Sequence, residues 1–215
     1  MFTCLAAQGQ TAMPPDSAFS LCGMSLGMDA YDIRWLVDNS AWKFRNSEDR
    51  DNIISSDLLF FTLNVEDRLD SITCIGKGDP QYKGAECLRF DEVSWTPYNQ
   101  KACRLSWEAG GFKKEDVGEL REFTTLLLDR LVKSFGKPKS GWLKPGQISV
   151  TSLAKREGER GYSTIAEWEW KDGKGRKSKT LRSIWISTER QGDSYRLLVV
   201  MEDTEKSEKR FSFGE

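Results

Sequence analysis

The sequence predicts an α+β protein in which two helices pack against antiparallel β-meanders. The first observation is the stretch Glu115 to Pro138, where Val117, Leu120, Phe123, Leu127, Leu131 and Phe135 recur three or four residues apart. That spacing makes one apolar stripe on a helix of about five and a half turns. The second is that the segments on either side are short, alternating or β-branched runs separated by glycine, proline and asparagine turns, which is strand and hairpin patterning. The third is a second amphipathic stretch near the start, so that each half of the chain runs helix and then strands. This repeat of pattern fits either two similar lobes, 19–112 and 113–215, or one sheet carrying two helices on a face; the sequence does not separate the two.

Residues 1–18 read as an unstructured N-terminus or signal-peptide remnant, because FTCLAA followed by QGQTAMPPDS has the character of an export leader running into a mature end. A periplasmic or secreted location follows from that reading, and a frayed end on a cytoplasmic protein is the alternative. A helix is predicted over Ala30–Asn39, with Asp29 as N-cap and Asp32 in the capping-box position, led in by a short extended piece flanked by Gly23 and Gly27. Residues 43–57 read as a loop or irregular edge. A central strand is predicted over Leu58–Val65, then strands over Leu69–Ile75, Cys87–Trp95 and Ala102–Glu108.

In the long helix, Glu115 and Asp116 suit the first turn and Lys133 the last, Gly136 supplies a left-handed stop and Pro138 prevents continuation. Beyond it, a short strand is predicted over Gln147–Leu153, and clearer strands over Thr164–Trp170, Thr180–Thr188 and Tyr195–Glu202. The end, DTEKSEKRFSFGE, either frays or adds an edge strand through Phe211 and Phe213.

Composition excludes several function classes. With 32 basic against 33 acidic residues the chain has no global field to draw in nucleic acid or an anionic membrane, so nucleic acid is not expected and any contact of either kind would be local. There is no histidine, which removes the commonest general base and metal ligand and every histidine-dependent triad. No metal, no cofactor, no catalytic residue and no membrane-spanning segment is predicted. The five cysteines show no CxxC spacing. If the first residues are removed, four remain. A hairpin register that sets Cys74 opposite Cys87 makes these one disulfide candidate, and Cys22 and Cys103 are left as the second; buried thiols are the alternative.

Three local runs bear on function. In AEWEWKD, Glu167 and Glu169 share one face of a strand about 7 Å apart, a separation that overlaps that of paired glycosidase carboxylates. Trp168 and Trp170 project to the opposite face, so the stronger reading buries them and leaves the glutamates in water, paired across the hairpin with Lys179 or Arg182. Residues 171–182, KDGKGRKSKTLR, carry six basic residues including Lys174, Arg176, Lys177 and Lys179. They read as a solvated hairpin loop or, alternatively, as a polyanion contact. Trp185, out of phase with Ile184 and Ile186 and beside Ser183 and Ser187, is placed on the solvent face, where an aromatic marks a partner surface.

The order of LCGMSLGMDAYDIRWLV, a meander, a helix ending in FGKP, and a tryptophan-bearing meander with DSYRLLVVMED resembles small exported bacterial proteins. Its helix-plus-meander plan is similar to that of SmpA-type outer-membrane lipoproteins and of the β-lactamase inhibitor protein fold. The resemblance implies protein binding in the cell envelope and carries over no catalytic residue. The expectation is therefore a non-catalytic module binding another protein or an envelope component, with a histidine-free glycan hydrolase or carbohydrate-binding protein using Glu167 and Glu169 as the first alternative. A cytoplasmic polyanion-binding protein is the second.

Overall fold

The computed structural model describes residues 13–39, 42–44, 61–65, 90, 92–115, 117–141, 143–157, 161–173 and 178–212. Within them the chain is α+β and its strands pair antiparallel throughout. A two-stranded hairpin, β1 (Ser20–Leu21) and β2 (Met24–Ser25), turns through Cys22 and Gly23 at φ 52 and 80, the backbone that a two-residue hairpin loop requires. Helix α1 (Ala30–Asp38) follows, and its capping box forms as the sequence predicts. Asp29 Oδ1 accepts from the Tyr31 and Asp32 amides at 2.9 Å each, and the Asp32 carboxylate accepts from the Asp29 amide.

The main sheet joins β3 (Trp42–Phe44), β4 (Phe61–Val65), β5 (Glu92–Tyr98), β6 (Lys101–Lys113), β7 (Tyr162–Lys171), β8 (Thr180–Gln191) and β9 (Ser194–Asp203) in the order β3-β4-β5-β6-β9-β8-β7. The two meanders are therefore halves of one sheet, joined where β6 runs beside β9 from Arg104–Glu202 to Lys113–Ser194. The predicted strand at Leu69–Ile75 lies outside the described residues. So do residues 58–60 and 87–89 of the predicted strands.

Helix α2 (Gly118–Phe135) covers one face of this sheet. Leu120, Phe123, Leu127 and Leu131 are buried against Val93, Trp95, Leu105, Trp107, Ile184, Ile186, Leu197, Val199 and Met201, residues that cross-strand pairing places in register on a single face. Phe123 meets Phe90 and Phe112 with ring centroids 5.2 and 5.7 Å apart, and Phe135 meets Phe19 and Trp170 at 5.3 and 5.5 Å. The helix begins three residues later than predicted, with Glu119 rather than Glu115 or Asp116 in its first turn, and Gly136 ends it at φ 74, ψ −167. That backbone is one only glycine takes readily. The Gly136 carbonyl accepts from the Trp168 indole N–H at 2.9 Å, tying the helix stop to β7.

Two predicted elements are corrected. Residues 147–153 form no strand: a 3-10 turn, Pro145–Gln147, leads into helix α3 (Val150–Glu157). Ser149 and Ser152 cap it reciprocally, each hydroxyl accepting from the other's amide at 3.1 and 3.0 Å, which outweighs the β-branched character of ISVTS. Ser149→Ala is expected to cost about 1 kcal/mol of stability, read as a lowered midpoint in urea. The C-terminal stretch is also not an edge strand but helix α4 (Thr204–Ser212), with the Asp203 carboxylate accepting from the Lys206 amide at 3.0 Å; Phe213 lies outside the described residues. Helix α4 packs against β5, β6 and β8, and its Ser207 hydroxyl donates to Glu202 at 2.7 Å.

Nor are residues 13–18 a frayed end. Asp16 starts a 3-10 turn and is held by Arg182 and Lys206. Of the disulfide candidates, Cys22 and Cys103 are buried thiols and no disulfide joins them; Cys103 is the extra residue of a bulge opposite Thr96 and Pro97, its Sγ 3.3 Å from the Thr96 carbonyl oxygen. Cys74 and Cys87 lie outside the described residues.

Candidate functional site

On the face turned away from α2, strand pairing arranges side chains in rows. Tyr162, Glu189 and Arg196 make one row across β7, β8 and β9; Thr164, Ser187 and Leu198 the next, with Glu108 of β6 beyond; Glu167, Trp185 and Val200 the third; and Glu169, Ser183 and Glu202 the fourth, with Arg104 beyond. The C-terminal helix packs at the Glu202 end of these rows, where Ser183 and Thr96 are buried. Over the first three rows lies an open groove of about 500 Å³, lined by Tyr162, Thr164, Glu167, Trp185, Ser187, Glu189 and Leu198.

A bulge in β7 makes this groove. Thr164 pairs with Ser187 and Ala166 with Ile186, so Ile165 is the extra residue and the alternation shifts by one across it. Tyr162 and Thr164 thereby join Glu167 on the outer face, while Ile165 and Ala166 are both fully buried. Simple alternation back from Glu167 puts Tyr162 and Thr164 on the opposite face, which is why the sequence does not disclose them. The remaining lining residues, Ser187 and Glu189, do follow in period two from Trp185.

Trp185 stands on the face predicted for it, opposite Ile184 and Ile186, and is half-buried rather than fully exposed. Arg104 reaches across Val200 to place its guanidinium 5.2 Å from the indole centroid. Glu167 and Glu169 share the outer face and Trp168 and Trp170 are buried, as the stronger reading had it. Their partners differ from that reading. Lys139 and Lys171 hold Glu169, and Glu167 accepts the Ser140 hydroxyl, because Lys139, Ser140 and Leu143 bond to the backbone of the edge strand β7 at Glu167 and Ile165. Burial raises the Glu169 carboxyl, but the two ammonium groups outweigh it and hold it below the usual carboxylate value.

Of the basic loop, only its flanks are described, and Lys179 does not line the groove. Lys174, Arg176 and Lys177 lie outside the described residues, and Lys179 is exposed and bonded to Glu208 of α4 at 2.8 Å. Arg182, expected to face a glutamate of β7, instead bonds Asp16 and Asp203. Among the described residues no group of three or more cysteine, aspartate and glutamate side chains could hold a metal, and no helix is long and apolar enough to cross a membrane.

Fold and site together define an α+β protein with one seven-stranded antiparallel sheet, helix-covered on one face and grooved on the other. No protein family, curated protein or solved structure matches the chain, so the functional reading rests on the groove itself.

Proposed function

We propose that this protein is a non-catalytic binding module, located in the cell envelope or outside the cell, that captures another macromolecule through the outer face of β7, β8 and β9. The observation that carries the reading is the open groove around Trp185, a half-buried tryptophan flanked by carboxylates and hydroxyls on a sheet face that α4 leaves uncovered. Tryptophan in such a setting contributes large contact area at low entropic cost. The carboxylates support binding over hydrolysis. A glycosidase pair needs one carboxyl kept protonated as the acid, whereas Glu169 is held below its usual value by two lysines and only Glu167 of the two lines the groove.

The test is a photo-crosslinking amino acid placed at Tyr162, which is 41% exposed at the groove rim, with Tyr31 on α1 as the control position. Crosslinking of a discrete partner from position 162, abolished at least tenfold by Trp185→Ala with the melting curve unchanged, is the expected result. Crosslinks from position 31 alone, or indifference to Trp185→Ala, would reject this face.

A further inference from the structure

We propose that the groove holds a basic side chain of an extended partner segment, its ammonium or guanidinium seated between the Glu167 carboxylate and the groove-side face of Trp185. This rests on the reading of the groove as the capture surface and names what it captures.

Charge accounting on the outer face points to a cation. Among the described residues the groove lining contains two carboxylates and no basic side chain. Glu189 is bonded to Arg196, which also bonds Glu108; Glu169 is bonded to Lys139 and Lys171; Glu202 is paired with Arg104. Glu167 accepts the Ser140 hydroxyl and has no ion pair among the described residues, although it adds to the field that raises Lys139. A carboxylate in a half-enclosed groove without an ion pair gains from a cation supplied by a ligand.

Trp185 makes the second half of the site. It sits directly opposite Glu167 across the β7–β8 ladder, which sets their Cβ atoms roughly 5 Å apart. Its ring already takes a cation: the Arg104 guanidinium lies over it. Arg104 reaches it from the Glu202 row and does not line the groove. The groove-side face offers the same negative quadrupole. Each cation then has its own carboxylate, Glu202 for Arg104 and Glu167 for the ligand, so the two positive charges flanking the indole are locally balanced.

The length of the groove favours a polymer over a free amine. From the Trp185 row to the Glu189 row is four residues of β8, about 13 Å, the span of alternate side chains i to i+4 on an extended segment. A basic side chain at Trp185 thus leaves the next side chains on the same face over Leu198 and Tyr162, where apolar or aromatic contact is available.

The experiment titrates the ¹⁵N-labelled full chain with a blocked pentapeptide bearing one central lysine, its norleucine counterpart, and a neutral tetrasaccharide, following the Trp185 indole N–H signal. The lysine peptide is expected to shift that signal saturably, with at least tenfold weaker binding for the norleucine peptide and for Glu167→Gln, a variant that keeps size and surface exposure. If the norleucine peptide or the tetrasaccharide binds as well as the lysine peptide, or Glu167→Gln leaves affinity unchanged, the cation assignment falls while the groove stands as a binding face. If no probe moves the indole signal, the cation assignment falls as well. The capture surface itself stands or falls on the crosslinking from position 162 and its dependence on Trp185.

Discussion

Replacing Arg182 by leucine is expected to lower the unfolding free energy by about 3 kcal/mol, the cost of removing one partner from a buried ion pair. The side chain is 11% exposed and its guanidinium is fully committed: Nε and Nη2 donate to Asp16 Oδ1 at 3.0 and 2.8 Å, Nη2 lies 2.9 Å from Asp203 Oδ2, and Nη1 donates to the Leu181 carbonyl. Asp203 is 2% exposed, so without Arg182 its carboxylate stays buried with Lys206 as its remaining ion-pair partner. The cluster clasps three remote parts of the chain, the 3-10 turn at Asp16, the start of β8 and the start of α4. Exposed pairs such as Lys209–Glu205 carry no comparable burden.

The pH dependence follows from Asp16. Burial raises its carboxyl, but the Arg182 and Lys206 charges outweigh burial and leave it below the ordinary value of 3.8. A lowered folded value means that this stabilisation is complete above the unfolded value and disappears as pH falls through the folded one. The stability gap between wild type and Arg182→Leu is therefore expected to be constant near neutrality and to narrow below about pH 4. Urea unfolding across that range checks it, and a gap that persists into acid would show that Asp16 contributes nothing through this pair.

Elements whose cause is local were legible in the sequence. The α1 capping box needs only Asp29 and Asp32, and the apolar stripe of α2 needs only its own spacing. Trp168 and Trp170 turn inward by alternation within a single strand. What failed was either a local cap masked by the composition around it or a register set between strands. ISVTS reads as a strand until Ser149 and Ser152 are seen to cap each other. The C-terminal stretch reads as fraying or as an edge strand until Asp203 caps it and Ser207 reaches Glu202. In the site, Trp185 and Glu167 were visible, but their being opposite one another depends on the β7–β8 register, and the inclusion of Tyr162 and Thr164 on one extra residue at Ile165. Bulges leave little trace in composition, so parity beyond them is lost.

The second large effect concerns whether the two meanders behave as one body. Phe123 is 5% exposed and wedged between Phe90 and Phe112, so α2 is anchored through it to the first meander, while Phe135, against Phe19 and Trp170, anchors the same helix to the second. Phe123→Ala removes the contacts of a buried ring and leaves a cavity, which costs about 4 kcal/mol. For a chain of this size that is a drop in melting temperature of roughly 8–16 °C. Because β6 and β9 pair along most of their length, the loosened first meander cannot part from the second without breaking the centre of the sheet. The variant is therefore expected to melt in one transition, with Trp fluorescence and far-UV circular dichroism coincident. Two separated transitions, with only the first displaced by Phe123→Ala, would mean that the halves fold as independent lobes and that the β6–β9 junction contributes little to cooperativity.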